Sequence, residues 1–251
     1  MRIVTWNCNM AFRKKAEYIL AYNPDIVVVP ECEHPAKLQF PLHITSPSHT
    51  LWYGDNINKG LGIFAFGQYH IETLDCHNPE YKYVVPIRVS DGQNQYIVIA
   101  IWANNIHDKG SRYIEQVWKA IHHYDDLLNS NDVILIGDFN SNTIWDRKHK
   151  ERCHSSVVNI LHSKGITSVY HNHHKQKQGA EQHPTLYMYR NKEKSYHIDY
   201  CFASSCFSDS ILAVEIGEPE LWLKYSDHVP LMVSFDRERI KWKKRRTKEL
   251  T

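Results

Sequence analysis

The sequence has no Gly/Ser- or Pro-rich linker, and its ten glycines and ten prolines are scattered singly through 251 residues. No internal repeat divides it. These absences argue against a string of modules and leave one domain, a length that a single sandwich or barrel can reach. No apolar run approaches the ~20 residues of a membrane-spanning helix. The N-terminus has no charged leader, apolar block and cleavage site. It enters a strand directly at Arg2-Ile3-Val4-Thr5-Trp6, so no signal peptide is expected. None of Cys8, Cys32, Cys76, Cys153, Cys201 and Cys206 forms the closely spaced pair of a zinc site. Several lie in apolar runs, where cysteine acts as a small hydrophobe. Reduced thiols in a cytoplasmic protein are the expectation.

What is present is a hydrophobic fraction of 42%, enough for a sizeable core. Short runs rich in Val and Ile alternate with turn residues and predict strands over 2–7, 25–31, 50–53, 61–66, 69–74, 83–89, 95–102, 132–137, 185–189, 196–203, 211–216 and 229–235. Helical spacing of Ile114, Val117, Trp118, Ile121 and Leu128 predicts a helix over 111–128, with Ser111 as its cap. Shorter helices are predicted over 11–22 and over 155–164, the latter stopped by Gly165. The polar, His-rich stretch 171–183 reads as a loop. Helices mixed among many strands suggest two packed sheets with helices outside.

The net charge of +2 conceals an asymmetry. Residues 1–236 hold 22 basic and 26 acidic side chains, while residues 237–251 hold 8 basic and 2 acidic. The segment from Arg237 to Arg246 is either a phosphate-neutralising tail or a solvated terminus kept soluble by its charge.

Chemistry-bearing residues gather where apolar strands end. Asn7 and Asn9 follow the first strand, Glu31 ends the second, Asp138 and Asn140 end the strand at 132–137, Asp199 sits inside a later strand, and Asp227-His228 precede the last. Buried charges cost several kcal/mol unless paired or metal-bound, so five such segments are an expensive pattern for a purely structural chain. Converging carboxylates are reconciled by a hard divalent cation, and oxygen ligands such as Glu31 and Asp227 suit Mg²⁺ or Mn²⁺ better than zinc. Softer candidates are Lys59 in Asn58-Lys59-Gly60, either near a phosphate or in a hairpin entry, and the run Arg147-Lys148-His149-Lys150, either beside the site or a solvated face. Trp52, Tyr53, Trp145, Tyr187 and Trp222 are either base-stacking platforms or core.

The blocks Thr5-Trp6-Asn7, Val29-Pro30-Glu31, Gly137-Asp138-Phe139-Asn140-Ser141, Ile198-Asp199-Tyr200 and Ser226-Asp227-His228-Val229-Pro230-Leu231 resemble, in order and spacing, the signature of the endonuclease/exonuclease/phosphatase superfamily. That superfamily includes exonuclease III-like repair nucleases, DNase I-like nucleases, RNA deadenylases and inositol polyphosphate phosphatases. The resemblance implies an α/β fold, a four-layered α/β/β/α sandwich of two packed, mainly antiparallel sheets. It implies that Glu31 is the main metal ligand, that Asp227 completes the metal side, and that Asn7 holds the metal-side network or contacts phosphate. Asn9 stands where many relatives carry a metal-linked Asp. Asp138 would orient or deprotonate the attacking water, Asn140 would position it, and His228 would bond the scissile phosphate with Asp199 behind it. Relatives commonly place His or Tyr near the end of the central strand. Trp102 takes that slot here, with Asn105 matching the later Asn; indole donates one hydrogen bond but is neither acid nor base.

The function expected is a divalent-metal-dependent phosphodiesterase, a nuclease acting on DNA or RNA as a monomer. The alternatives are a phosphatase of a small phosphate ester or phosphoinositide, and a binding module that kept the fold and lost the chemistry. Site geometry, not fold, must separate them.

Overall fold

The computed structural model describes residues 1–40, 42–105, 112–130, 132–147 and 151–240. Its strands are β1 (Arg2–Thr5), β2 (Ile26–Cys32), β3 (His49–Asn56), β4 (Lys59–Ala65), β5 (His70–Thr73), β6 (Val84–Ser90) and β7 (Gln95–Trp102) in the first half of the chain. Then follow β8 (Val133–Asp138), β9 (Ile166–Ser168), β10 (Leu186–Tyr187), β11 (Ser195–Tyr196), β12 (Asp199–Ser204), β13 (Ile211–Ile216) and β14 (Leu231–Phe235). They form two six-stranded sheets, ordered β13-β14-β1-β2-β4-β3 and β5-β6-β7-β8-β12-β9, with β10-β11 as a separate hairpin. Each large sheet has one parallel pair, β1/β2 and β7/β8, among antiparallel neighbours.

The strands alternate faces with period two, and that alternation sorts the core into layers. Ile3, Ile26, Val28, Ile134 and Ile136 lie in the cluster between the sheets. Val4, Val27 and Val29 lie in a second cluster with Ile19 and Leu20 of α1 (Ala16–Leu20). Val133 and Leu135 lie in a third, with Val117 and Ile121 of α2 (Ile114–His123). Each fully buried aliphatic side chain stabilises the fold by roughly 1.5–3 kcal/mol, and strands apolar on both faces demand cover on both. The result is helix, sheet, sheet, helix, the four-layered α/β sandwich.

The expected helix over 111–128 is broken near Tyr124 into α2 and α3 (Asp125–Leu128), and Ser111 lies outside the described residues. The helix expected from 155 runs as α4 (His154–Ser163). The stretch 171–183 is not all loop: α5 (Val169–His174) occupies its start. Val169 and Tyr170 are buried, and this tertiary burial overrides the polar look of the histidines that follow. Two short helices complete the set, α6 (Ser205–Ser208) and α7 (Pro219–Trp222). Arg237 pairs with Asp91 at 3.1 Å, and Ile240 is buried in the core between the sheets. The tail from Lys241 onward lies outside the described residues. All six cysteines are free thiols. No helix among the described residues is long and apolar enough to cross a membrane.

Candidate active site

The parallel pairs send two adjacent strands of each sheet toward the same rim. Beyond β1, the Trp6 and Cys8 amides continue the ladder onto Val28 O and Pro30 O, which carries Asn7 to the level of Glu31. Asn9, Met10 and Ala11 then turn back with φ of 50°, 60° and 52°. Lys15 Nζ clamps this turn by donating to Cys8 O at 2.6 Å.

Glu31 is aimed by a β-bulge. Pro30 pairs with Leu61 and Cys32 with Gly60, so two steps on β2 face one on β4. Glu31 is the extra residue, with φ of 61°. A bulge frees one residue from the ladder and turns its side chain out, at a backbone cost of about 1–3 kcal/mol for a non-glycine in this region.

Asp138 ends β8 and is fully buried. Its backbone approach is set by Gly137 at φ 148°, where a Cβ would stand 1.9 Å from Ile101 O. Asp138 Oδ2 accepts from Asn7 Nδ2 at 2.9 Å and from Asn140 Nδ2 at 2.9 Å, and Oδ1 accepts from the Asn140 amide at 2.8 Å. Asn140, at φ 46°, also donates to Ala103 O, which locks its side chain across the β7 and β8 ends. Despite these donors, burial and the neighbouring Asp199 push the Asp138 carboxyl up to about 7.

Asp199 opens β12 and is also buried. Its own amide and that of Ile198 both donate to Thr185 Oγ1 at 3.0 Å. His228 Nδ1 donates to Asp199 Oδ2 at 2.8 Å, which leaves Nε2 as the nitrogen free to meet a ligand. Burial opposes the imidazolium, but the Asp199 carboxylate more than offsets it, and the His228 pKa rises to about 10. The backbone around His228 is stitched to β1: Trp6 Nε1 donates to His228 O at 3.0 Å, and Ser226 Oγ donates to Asn7 O at 2.8 Å.

Ligating atoms of Asp138, Asp199 and His228 lie within 4.8 Å of one another. With Nδ1 bonded to Asp199, the imidazole can offer only Nε2 to a ligand in this group. A second set of oxygen donors comes from the residues expected to hold a metal. Asp227 Oδ1 accepts from Asn9 Nδ2 at 3.1 Å. Glu31 Oε2 lies 3.1 Å from Lys59 Nζ, which also sits 5.5 Å from the centroid of the Trp102 ring. The ammonium is a stand-in cation on Glu31, and the remaining donors are carboxylate and amide oxygens. This set fits a hard divalent ion.

Other candidates divide. Trp102 is buried against Tyr83, ring centroids 4.7 Å apart. Asn105 is exposed and donates to the Tyr113 hydroxyl, while the neighbouring Asn104 is buried beside Trp102 O. Arg147 is exposed, and Lys148, His149 and Lys150 lie outside the described residues. Tyr187 and Trp222 are core, Trp52 donates to Cys32 O, and Tyr53 bonds Thr73. Trp145 is 46% exposed and packs on Tyr196 with centroids 5.0 Å apart. Sequence reasoning missed Thr185, Lys15 and the Trp6 indole as supports. Thr185 carried no local signal; Trp6 and Ser226 stood inside the recognised blocks with no role assigned.

A family model described as "Endonuclease/Exonuclease/phosphatase family" matches residues 4–228. No curated protein matches the chain. Among solved structures, it is similar to a 3′ phosphatase, NExo, from Neisseria bound to product DNA hairpin, at 20% identity and a TM-score of 0.65 over 94% of this chain and 99% of that one. It is also similar to an AP endonuclease from Archaeoglobus fulgidus, at 19% identity and a TM-score of 0.68 over 94% and 99%. A third is the APE2 catalytic domain of Xenopus laevis, at 17% identity and a TM-score of 0.63 over 94% and 91%. At these identities the structures establish the shared fold, and the motif-bearing span from Thr5 to His228 falls within the family match. The chain therefore belongs to the endonuclease/exonuclease/phosphatase family.

Proposed function

We propose that the protein is a divalent-metal-dependent phosphodiesterase that hydrolyses nucleic-acid backbones by in-line attack of water. The observation that carries this reading is the pairing of two opposed groups within one small space. Asp138 has an affinity for protons matched to neutral pH, and His228 holds a proton firmly.

In this reading Asp138 takes a proton from the attacking water, which Asn7 and Asn140 help to orient. The water oxygen bonds to phosphorus opposite the departing oxygen, and that P–O bond breaks. His228 Nε2–H bonds a non-bridging oxygen and neutralises the charge gathering there, while Asp199 fixes the ring and keeps it cationic. Bound by Glu31 and Asp227, with Asn9 beside them, Mg²⁺ or Mn²⁺ would supply Lewis acidity toward the phosphate and the leaving oxygen.

Exposed Trp145 and Arg147, just beyond the Asp138 segment, favour a polymer with bases over a compact ester. The same reading takes residues 1–236 as one catalytic domain, acting as a monomer, with the basic segment 237–251 as a further phosphate contact. A second reading, removal of a terminal phosphate from a nucleic-acid end, uses the same groups and is favoured by the similarity to a 3′ phosphatase.

The test incubates the protein with labelled single- and double-stranded DNA, RNA, 3′-phosphorylated ends and a small phosphodiester, with Mg²⁺, Mn²⁺ or EDTA. Cleavage that needs metal and is lost in Asp138→Asn and His228→Ala supports the reading. Release of phosphate without chain cleavage selects the second one. Turnover in EDTA, or in both variants, overturns the mechanism.

A further inference from the structure

Lys59 has no part in the steps above, yet its ammonium occupies the carboxylate assigned to the metal. The β3–β4 hairpin fixes its backbone: Asn56 pairs with Lys59, and the Asn58 amide donates to Asn56 Oδ1 at 2.9 Å. The side chain lies 33% exposed against a Glu31 side chain that is 19% exposed. It is held at 3.1 Å from Glu31 Oε2 and 5.5 Å from the Trp102 ring centroid. Indole is the aromatic face that holds a cation best.

Two departures from the family pattern bear on this arrangement. Trp102 replaces a His or Tyr and gives the ammonium its seat. Asn9 replaces an Asp and removes a negative charge beside Asp227, to which it donates instead. The missing charge at Asn9 reduces what a divalent ion gains at the Asp227 side, and Lys59, seated on Trp102, adds a competing positive charge at Glu31. An ammonium and a divalent ion cannot share one carboxylate at contact distance without strong repulsion.

We infer that Lys59 and the divalent cation hold the Glu31 carboxylate alternately: Lys59 fills the seat in the unloaded protein, the incoming ion displaces it, and the released ammonium turns to the substrate phosphate. Four rotatable carbons on a fixed hairpin give the head the freedom this exchange needs. The inference rests on the reading of Glu31 as a metal ligand.

The experiment needs no substrate. Free Mn²⁺ is followed by electron paramagnetic resonance as it is titrated into the wild-type protein, Lys59→Met and Glu31→Gln, with circular dichroism confirming that each is folded. Lys59→Met is expected to bind about two- to fivefold more tightly than wild type, the scale of losing one partly exposed competitor. Glu31→Gln is expected to lose the site. In parallel, reductively ¹³C-methylated wild type is titrated with Mg²⁺. The Lys59 resonance, assigned by its absence in Lys59→Met, should move as the site fills. Equal or weaker Mn²⁺ binding by Lys59→Met, or a Lys59 resonance that stays still as Mg²⁺ saturates, overturns the exchange and leaves the metal reading intact. Absence of Mn²⁺ binding in both proteins overturns the two together.

Discussion

Asp138 and Asp199 are direct partners across the antiparallel β8–β12 ladder, two buried carboxylates facing each other at the first rung. Neither could remain ionised beside the other without help. His228 supplies a positive charge on one side, and Asn7 and Asn140 supply donors on the other. One carboxylate is thereby engaged by the imidazole, and the other, Asp138, is left with a raised proton affinity. Environments that separate two like groups in this way assign acid and base roles.

Activity should therefore follow a bell in pH. The acid limb falls near 7, where Asp138 gains its proton, and the alkaline limb near 10, where His228 loses its own. Asp199→Asn removes the charge that raises His228 and should move the alkaline limb toward neutrality. A pH–kcat/KM profile of both proteins checks this; an unmoved alkaline limb would show that His228 is not the group titrating there.

Gly137→Ala should cost about 3 kcal/mol or more, because the new Cβ meets backbone rather than a movable side chain. Denaturant unfolding measures the loss. Asp138 is the next residue, so activity should fall in whatever fraction remains folded. Wild-type stability in this variant would mean that β7 and β8 separate more easily than their register suggests.

Trp145→Ala should weaken cleavage of single-stranded oligonucleotides by about tenfold, the scale of one lost base–aromatic stack. Turnover of a small phosphodiester should stay unchanged. Tyr196 supports the Trp145 ring and pairs with Leu186, which bridges to His228. That places the indole two strands from the imidazole. Parallel losses on both substrates would show a structural role instead.

The share of stability contributed by His154 and His197 should decline as pH falls from 6.5 toward 4. Asp138, whose folded-state value is raised to about 7, gains stability over the same range, and His228, raised to about 10, gains it as pH falls toward 6.5; together they mask that decline in the wild type. His154 and His197 are buried, and burial lowers both imidazoles to about 4. Their lowered folded-state pKa gives stability that is full above the unfolded value of 6.5 and lost as the solution acidifies. The expected loss is roughly 2 kcal/mol per histidine by pH 5. Neighbouring Glu181 and His171 face both rings, with Asp146 beside His154 and Asp199 beside His197. Relative to wild type, His154→Phe should therefore gain about 2 kcal/mol between pH 7.5 and 5, read by denaturant unfolding of both proteins at each pH. A variant whose pH dependence parallels the wild type would show that His154 is not a buried neutral imidazole.

The sheets were legible because Val/Ile alternation is a local signal. β13 matches its expected span of 211–216, and β7 matches 95–102. The site residues were legible as ordered motifs at strand ends. Their supports were not, because hydrogen bonds such as Ile198 to Thr185 join residues whose sequence neighbours carry no pattern. The Glu31 bulge was equally hidden: it is a mismatch between two strands, visible only when both are paired. Helix limits failed where burial of Val169 and Tyr170 outweighed a polar context.

Arg2 of β1 pairs with Ser234 of β14, so the first strand of the fold is completed by a strand more than two hundred residues later in the chain. During synthesis at roughly 5–20 residues per second, β1 waits many seconds for that partner. Asn7 emerges early, but His228 and the Ser226 hydroxyl that hold its backbone arrive more than two hundred residues later. A nascent or truncated chain thus carries scattered ligands and no assembled triad. On the proposed reading, the groups that would carry the reaction come together only once β14 has closed onto β1.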